Sequence, residues 1–457
     1  MTRDPGSTVL FTVLAMAVIE VSSVGSSVMA QETDGAGPQR AGIEQIAAAI
    51  EKHIAEGTEA GGGYYRLLHD GKELRLKLVR IHMEYLADLG EGVQFACVDL
   101  AGTEGPVYDV DFFLRGGPGD MTVTETPTVH KVNGQPLYLW EQEEDGTWKR
   151  VPVTGATPRL LGVVRGQDEF EFIYRVRLPQ LSGPAKLWLP LARSDDFQTV
   201  EVMKITAPTE GRQLEEHKYG NKILFLTVGQ EDGGKTIEIQ YRVRRVEQSP
   251  YPAANPRPRT DLEPERLVPD NAEFRGIAQQ VTRGKASDLM RARALYDHVI
   301  DRVRYARYGS GWGRGDAVYA CAAESGNCTD FHAYFIALAR AADIPSRFVI
   351  GAAIPSERND GGIDGYHCWA EFYADGLWWP VDVSEADKNS SLATYYFGHQ
   401  PANRIELSRG RDLVVEPGPA SGPINFLAYP ILEVDGHPIE VRTEFLFQRV
   451  TRASTLD

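Results

Sequence analysis

Hydrophobic and polar positions divide the chain into three blocks with different periods. In the first, Ile43, Ile46, Ala47, Ile50 and Ile54 recur at helical spacing, predicting one amphipathic helix over 41–56. Strand-like runs follow at 74–82, 93–100, 108–114 and 136–140. They are separated by turn signals such as Gly116-Gly117-Pro118-Gly119 and Asn133-Gly134. The expectation for 41–155 is a small α+β domain, a helix followed by antiparallel sheet.

In the second block, 160–250, the period drops to two. Phe170, Phe172, Tyr174, Val176 and Leu178 alternate with mostly polar neighbours. Ile237, Ile239, Tyr241 and Val243 alternate with Glu238, Gln240, Arg242 and Arg244. One dry face and one wet face indicate antiparallel sheet, here an expected β-sandwich. A proline-rich linker over 251–264 (Pro252, Pro256, Pro258, Pro264) marks a boundary.

The third block, 265–415, changes to helix followed by strand. Ser287 is placed to cap a helix whose apolar positions include Leu295, Val299 and Val303. A second helix is expected over 329–342, then strands at 347–351, 367–373 and 378–383. A C-terminal tail, 416–457, has strand character over 425–449, and the pattern does not say which domain it joins.

Composition narrows the function. The chain has 457 residues, too many for one ordinary domain, with a formal charge of −16. Nucleic acid is excluded as the main partner, because phosphate binding needs a basic surface. Arg3, an apolar run from Val9 to Ile19 and the small residues up to Ala30 resemble a signal peptide over 1–30, followed by a disordered stretch over 31–40. The run is shorter than the roughly 20 apolar residues a spanning helix needs. The expected location is periplasmic or secreted, with no membrane span after cleavage.

Four cysteines are few for an exported chain of this length. Cys97 lies in a strand-like run and reads as a buried core thiol. Cys328 differs. In Gly326-Asn327-Cys328-Thr329-Asp330, followed at helical spacing by Phe331, Tyr334, Phe335 and Leu338, it opens a helix. The helix dipole and unpaired N–H groups there favour the thiolate, the nucleophilic form. Downstream, Tyr366-His367-Cys368-Trp369-Ala370-Glu371 and Leu377-Trp378-Trp379-Pro380-Val381-Asp382 flank Asp375-Gly376, a hairpin turn signal. With those two residues central, Ala374 opposes Leu377 and His367 opposes Ser384. Asp382 is then a same-face diagonal neighbour of His367, roughly 7–8 Å away between Cα atoms. A histidine base oriented by a carboxylate is what a thiol nucleophile requires.

These segments, GNCTDFHAYFIALARAADIPSRFVIG and YHCWAEFYADGLWWPVDVSEADK, resemble the core of the transglutaminase-like superfamily, related in fold and mechanism to papain-like cysteine proteases. The resemblance covers 265–415, about a third of the chain. It implies a multidomain α+β protein: a transglutaminase-like core preceded by the antiparallel β-sandwich and the small N-terminal α+β domain. It also implies Cys328 as nucleophile, His367 as general base and acid, and Asp382 as orienter. Trp312, in a Gly-rich loop upstream, is the candidate aromatic near the oxyanion, with simple packing as its alternative. The chain departs from the family at Asp343, where glycine usually closes the cysteine helix.

The implied activity is acyl transfer on amide bonds through a thioester. Hydrolysis of a peptide or protein substrate is expected, with cross-linking as a variant and a catalytically silent peptide- or cell-wall-binding module as the rival. His332 is either a second base or a structural helix residue. Trp369, Trp378 and Trp379 either line a groove or fill the core. Papain-like packing of the cysteine helix on the sheet suggests a Cys321–Cys368 disulfide. Independent thiols and a Cys321–Cys328 bridge are the other readings. No cofactor is called for, and no metal-ligand spacing, phosphate loop or Rossmann fingerprint is present; Asp360 and Asp364 form no recognisable calcium loop. Oligomeric state is not legible.

Overall fold

The computed structural model describes residues 41–450 apart from 84–85, 91, 104, 143–147, 153–161, 255–257 and 308–309. The expected signal peptide and the stretch 31–40 lie outside the described residues.

In helix α1, Ile43–Ala60, Ile43 of the expected stripe is exposed at the first turn and Ala47 is half-buried, while Ile46, Ile50 and Ile54 are buried. They press on an antiparallel sheet whose strands run in the order Tyr65–His69, Lys72–Ile81, Val93–Gly102, Val107–Arg115 and Thr128–Val132. The pleat sends Ala96, Val98, Leu100, Val110, Phe112 and Leu114 towards the helix. Cys97, Asp99, Asp109 and Asp111 point to the opposite face, where Asp99 Oδ2 accepts a hydrogen bond from Arg293 Nη1 at 2.8 Å. Cys97 is buried, as expected, but its neighbours are carboxylates rather than a hydrocarbon core.

The second block forms two packed five-stranded sheets. One runs Gln198–Thr206, Thr236–Val246, Gln167–Arg177, Arg442–Arg449, Asp360–Ile363. The other runs Arg212–Glu215, Lys222–Val228, Ala185–Leu191, Ile431–Val434, His437–Ile439. Phe172 lies opposite both Tyr241 and Phe447, and all three are buried between the sheets. Each such ring contributes roughly 1.5–3 kcal/mol of burial. The C-terminal tail is therefore not a separate element. Its strands complete both sheets, and Asp360–Ile363 from the third block closes one edge. At the start of the proline-rich segment, Tyr251–Pro252 pairs with Leu377–Val381.

The third block places α2 (Ala272–Val281), α3 (Asp288–Arg302), α4 (Ala317–Ala323) and α5 (Cys328–Ala341) against a sheet ordered Tyr251–Pro252, Leu377–Val381, His367–Ala374, Ser346–Ala353, Arg404–Arg409. Ser287 Oγ caps α3 by accepting from the Met290 N–H at 3.2 Å. Helix α5 is buried on nearly every side, its Phe331, Phe335 and Leu338 meeting Ile350, Ala370 and Phe372 of the sheet. It ends in a Schellman motif: the N–H of Asp343 bonds Arg340 O at 2.9 Å and that of Ile344 bonds Ala339 O at 2.9 Å. Asp343 adopts φ 60°, so the departure from glycine keeps the backbone that the family's glycine supplies.

The other face of this sheet meets the sandwich through buried charge. Glu371 accepts from Arg347 Nε at 2.7 Å and Gln248 Nε2 at 2.7 Å, and Arg245 lies over the Trp369 ring at 5.5 Å. Arg347 stacks on Trp378 at 3.9 Å, and Trp379 stacks on Phe372. All three tryptophans are buried. Of the two readings open to them, packing is the one observed.

Candidate active site

Asn327 opens α5 with extended backbone, its Oδ1 accepting from the Thr329 N–H at 3.0 Å. Cys328 is thus the first residue of the helix, where an N–H has no intrahelical acceptor. Asp330 closes the turn. Its Oδ2 accepts from the N–H groups of Asn327 (3.0 Å) and Gly313 (2.7 Å), and its Oδ1 from that of Gly315 (3.0 Å). One buried carboxylate therefore pins the Gly311–Gly315 loop, with half-buried Trp312, to the start of the cysteine helix.

The hairpin brings the partners in. Asp375 and Gly376 take φ 54° and 84°, both positive as the two-residue turn demands. The register is the expected one: Ala374 opposes Leu377 and Ala370 opposes Val381. The second strand stops at Val381, however, and Ser384 lies in helix α6, Val383–Lys388, rather than in a strand opposite His367. Asp382 is the cap of that helix. Its Oδ1 accepts from the Glu385 N–H at 3.1 Å and from Ser384 Oγ at 3.0 Å, and its Oδ2 lies 2.6 Å from His367 Nε2. With Nε2 held by Asp382, Nδ1 is the nitrogen left for the Cys328 sulfur, with which the imidazole interacts electrostatically. Tyr366 helps set this approach, its hydroxyl accepting from Asn327 Nδ2 at 3.0 Å.

The electrostatics favour a thiolate–imidazolium pair. Hydrogen bonds from Cys368 and His367, and the charge of His367, hold the Cys328 thiol well below its ordinary range against the effect of burial. Burial alone would depress His367, but the charge and hydrogen bond of Asp382 override it and push the imidazole up to about 9. Asp382 is held below the usual carboxylate range, burial again opposing and His367 winning.

Two further residues pack against the triad. His332, one turn into α5, has Nδ1 2.7 Å from the Cys328 carbonyl, and its Nε2 accepts from the Val383 N–H at 3.1 Å. Both ring nitrogens are engaged by backbone, which fixes the neutral tautomer with the proton on Nδ1, and burial lowers its pKa. Of its two readings, the structural one fits. His332 ties the nucleophile's turn to the cap that carries Asp382.

Cys368 is the second. It follows His367 and faces the other side of the strand, yet α5 lies on that side, so the Cys368 thiol interacts with Cys328 and helps hold its thiol low. The Cys321–Cys368 disulfide is accordingly not formed. Cys321, on α4, faces Glu273 Oε1 at 3.9 Å and Tyr334, whereas Cys368 faces Cys328 and, at 3.5 Å, His332 Nδ1. All four cysteines are free. The hairpin pattern gave no sign of this, because which side of the strand α5 occupies is a tertiary choice.

Residues 275–383 match the transglutaminase-like superfamily and form a transglutaminase-like core domain. An uncharacterised protein of Haemophilus influenzae is 26% identical over 323 residues, 59% of this chain and 86% of that relative. Among solved structures, a candidate cysteine protease from Cytophaga hutchinsonii is similar at a TM-score of 0.43 and 16% identity, covering 63% of this chain and 93% of that one. The periplasmic domain of TgpA from Pseudomonas aeruginosa is similar at a TM-score of 0.27 and 16% identity, covering 52% and 99%. No helix among the described residues is long and apolar enough to cross a membrane.

Proposed function

We propose that this protein is a cysteine-dependent acyl-transfer enzyme acting on amide bonds, with Cys328, His367 and Asp382 as its catalytic triad. The observation that carries the reading is His367 held by Asp382 at 2.6 Å beside a Cys328 thiol at the helix start, whose charge it stabilises. The Cys328 thiolate attacks the amide carbonyl. The N–H of Cys328 is an unpaired helix-terminal donor suited to the oxyanion, and Trp312 is the candidate aromatic beside it. The tetrahedral intermediate collapses to a thioester as His367 protonates the leaving amine. His367 then takes a proton from water, the hydroxide adds to the thioester, and the acid is released. Asp382 holds the imidazole in its tautomer and balances its charge throughout.

Hydrolysis of a peptide or protein amide, as peptidase or deamidase, is the favoured outcome. Resolution of the same thioester by an amine would give a cross-link. The cell compartment proposed is the periplasm or the exterior.

The rival, a silent binding module, draws on the thiol's burial: Cys328 is only 2% exposed. A buried ion pair is a costly arrangement for a surface that only binds, which favours catalysis. The test is incubation with a peptide library containing glutamine amides, read by mass spectrometry. Cleavage or deamidation lost in Cys328→Ala supports the proposal. Peptide retention with no covalent change, equal in wild type and Cys328→Ala, would establish the binding module instead.

A further inference from the structure

A second group of buried metal-type donors, separate from the triad residues, lies on the face of the N-terminal sheet turned away from α1. Cys97 pairs with Asp111, and Asp99 with Asp109, so the pleat sets all four on one face. His82 joins them from the neighbouring strand's end, its N–H bonded to the Cys97 carbonyl at 3.1 Å. His82, Cys97 and Asp109, all buried, each offer a donor atom within 4.8 Å of the others. Cys97, Asp111 and His130 form a second set of the same span, sharing the sulfur.

An independent observation points to a cation ligand. Asp109 is 1% exposed; its Oδ2 is 2.9 Å from Lys131 Nζ, but its Oδ1 is buried with no hydrogen-bond donor among the described residues. A buried carboxylate oxygen left unsatisfied is expensive. Three carboxylates, Asp99, Asp109 and Asp111, share this face, with Arg293 on Asp99 and Lys131 on Asp109.

We propose that Cys97, His82 and Asp109, flanked by Asp111 and His130, form a binding site for one borderline divalent cation of the zinc class, with the Cys97 thiolate as its central ligand. Sulfur, imidazole and carboxylate together suit zinc better than magnesium or calcium, which prefer oxygen alone. Asp99 holds His82 Nε2 at 2.9 Å, the carboxylate support that metal-ligating imidazoles carry. The thiol proton leaves for solvent as the ion enters. Lys131, 27% exposed, sits where its ammonium can withdraw to water. The ion would cross-link three strands beside the Asp99–Arg293 contact with α3.

The experiment uses the full, untagged chain, stripped with chelator and titrated with Co²⁺. A thiolate-to-cobalt charge-transfer band in the near ultraviolet, saturating at about one ion per chain, is expected. It should be displaced by Zn²⁺, survive in Cys328→Ser and vanish in Cys97→Ser. Asp109→Asn, which keeps the side-chain volume, should weaken binding at least ~10-fold. Absence of the band in the wild type, a band that follows Cys328 rather than Cys97, or unchanged affinity in Asp109→Asn would each overturn the proposal.

Discussion

Asp382 reaches His367 at 2.6 Å from a diagonal position across the hairpin, and it does so from the cap of a helix rather than from a strand. One oxygen is held by the first turn of α6 and the other is presented to the imidazole. The geometry of the pair thus depends on where the strand stops as well as on its register.

Asp382→Asn should keep the fold, because asparagine caps helices as well as aspartate does. It should also favour the wrong histidine tautomer, lowering turnover about 10⁴-fold. Steady-state kinetics on an amide substrate, with a melting curve alongside, checks both halves. Unchanged turnover would remove Asp382 from the triad.

Cys328 should be alkylated by iodoacetamide at acidic pH, where Cys97 and Cys321 stay silent. Its thiol is depressed by Cys368 and His367, while burial raises the other two. Mapping of the labelled peptides after a short exposure reads this directly, and similar labelling of the three would refute it.

Cys368→Ala should remove one hydrogen bond to the Cys328 thiolate. Such a bond to a charged group contributes about 1.5–3 kcal/mol, or roughly one to two pKa units. Alkylation of Cys328 at acidic pH should slow by ~10-fold or more. A pH–rate profile superimposable on wild type would show that Cys368 only packs.

The site should stabilise the fold over a defined pH window. His367 is raised from 6.5 to about 9, so its contribution is complete below pH 6.5 and is lost as pH climbs through about 9. Asp382 is depressed from 3.8, so its contribution is present above that value and fades as pH falls below it. The melting-temperature difference between wild type and His367→Gln should be largest between these limits and shrink towards pH 9. A difference that grows with pH over that range would contradict the assignment.

Arg293→Ala should destabilise by about 3–5 kcal/mol, because it leaves Asp99 buried without its guanidinium. Denaturant unfolding measures this. A loss under about 1 kcal/mol, typical of an exposed pair, would show that the seam between the N-terminal sheet and α3 is not held by this contact.

Local pattern determined much of this protein. The stripe of α1, the alternation of the sandwich strands, the Ser287 cap, the hairpin turn at Asp375-Gly376 and the left-handed closure at Asp343 all follow from neighbours within a few residues, where backbone sterics and periodic burial act. The candidate nucleophile, base and orienter were legible for the same reason: a helix start and a two-residue hairpin are local objects. Tertiary structure alone decided the rest. The strands at 431–449 complete the sandwich because its sheets had unpaired edges far upstream, at 167–177 and 185–191. Cys368 meets Cys328, and not Cys321, because α5 packs on the strand face that Cys368 shares with Ala370 and Phe372. The donors around Cys97 come from separate strands, so no spacing along the chain could announce them. Pairing between distant segments depends on which surfaces remain to be buried once each element has formed, and no short stretch of sequence carries that information.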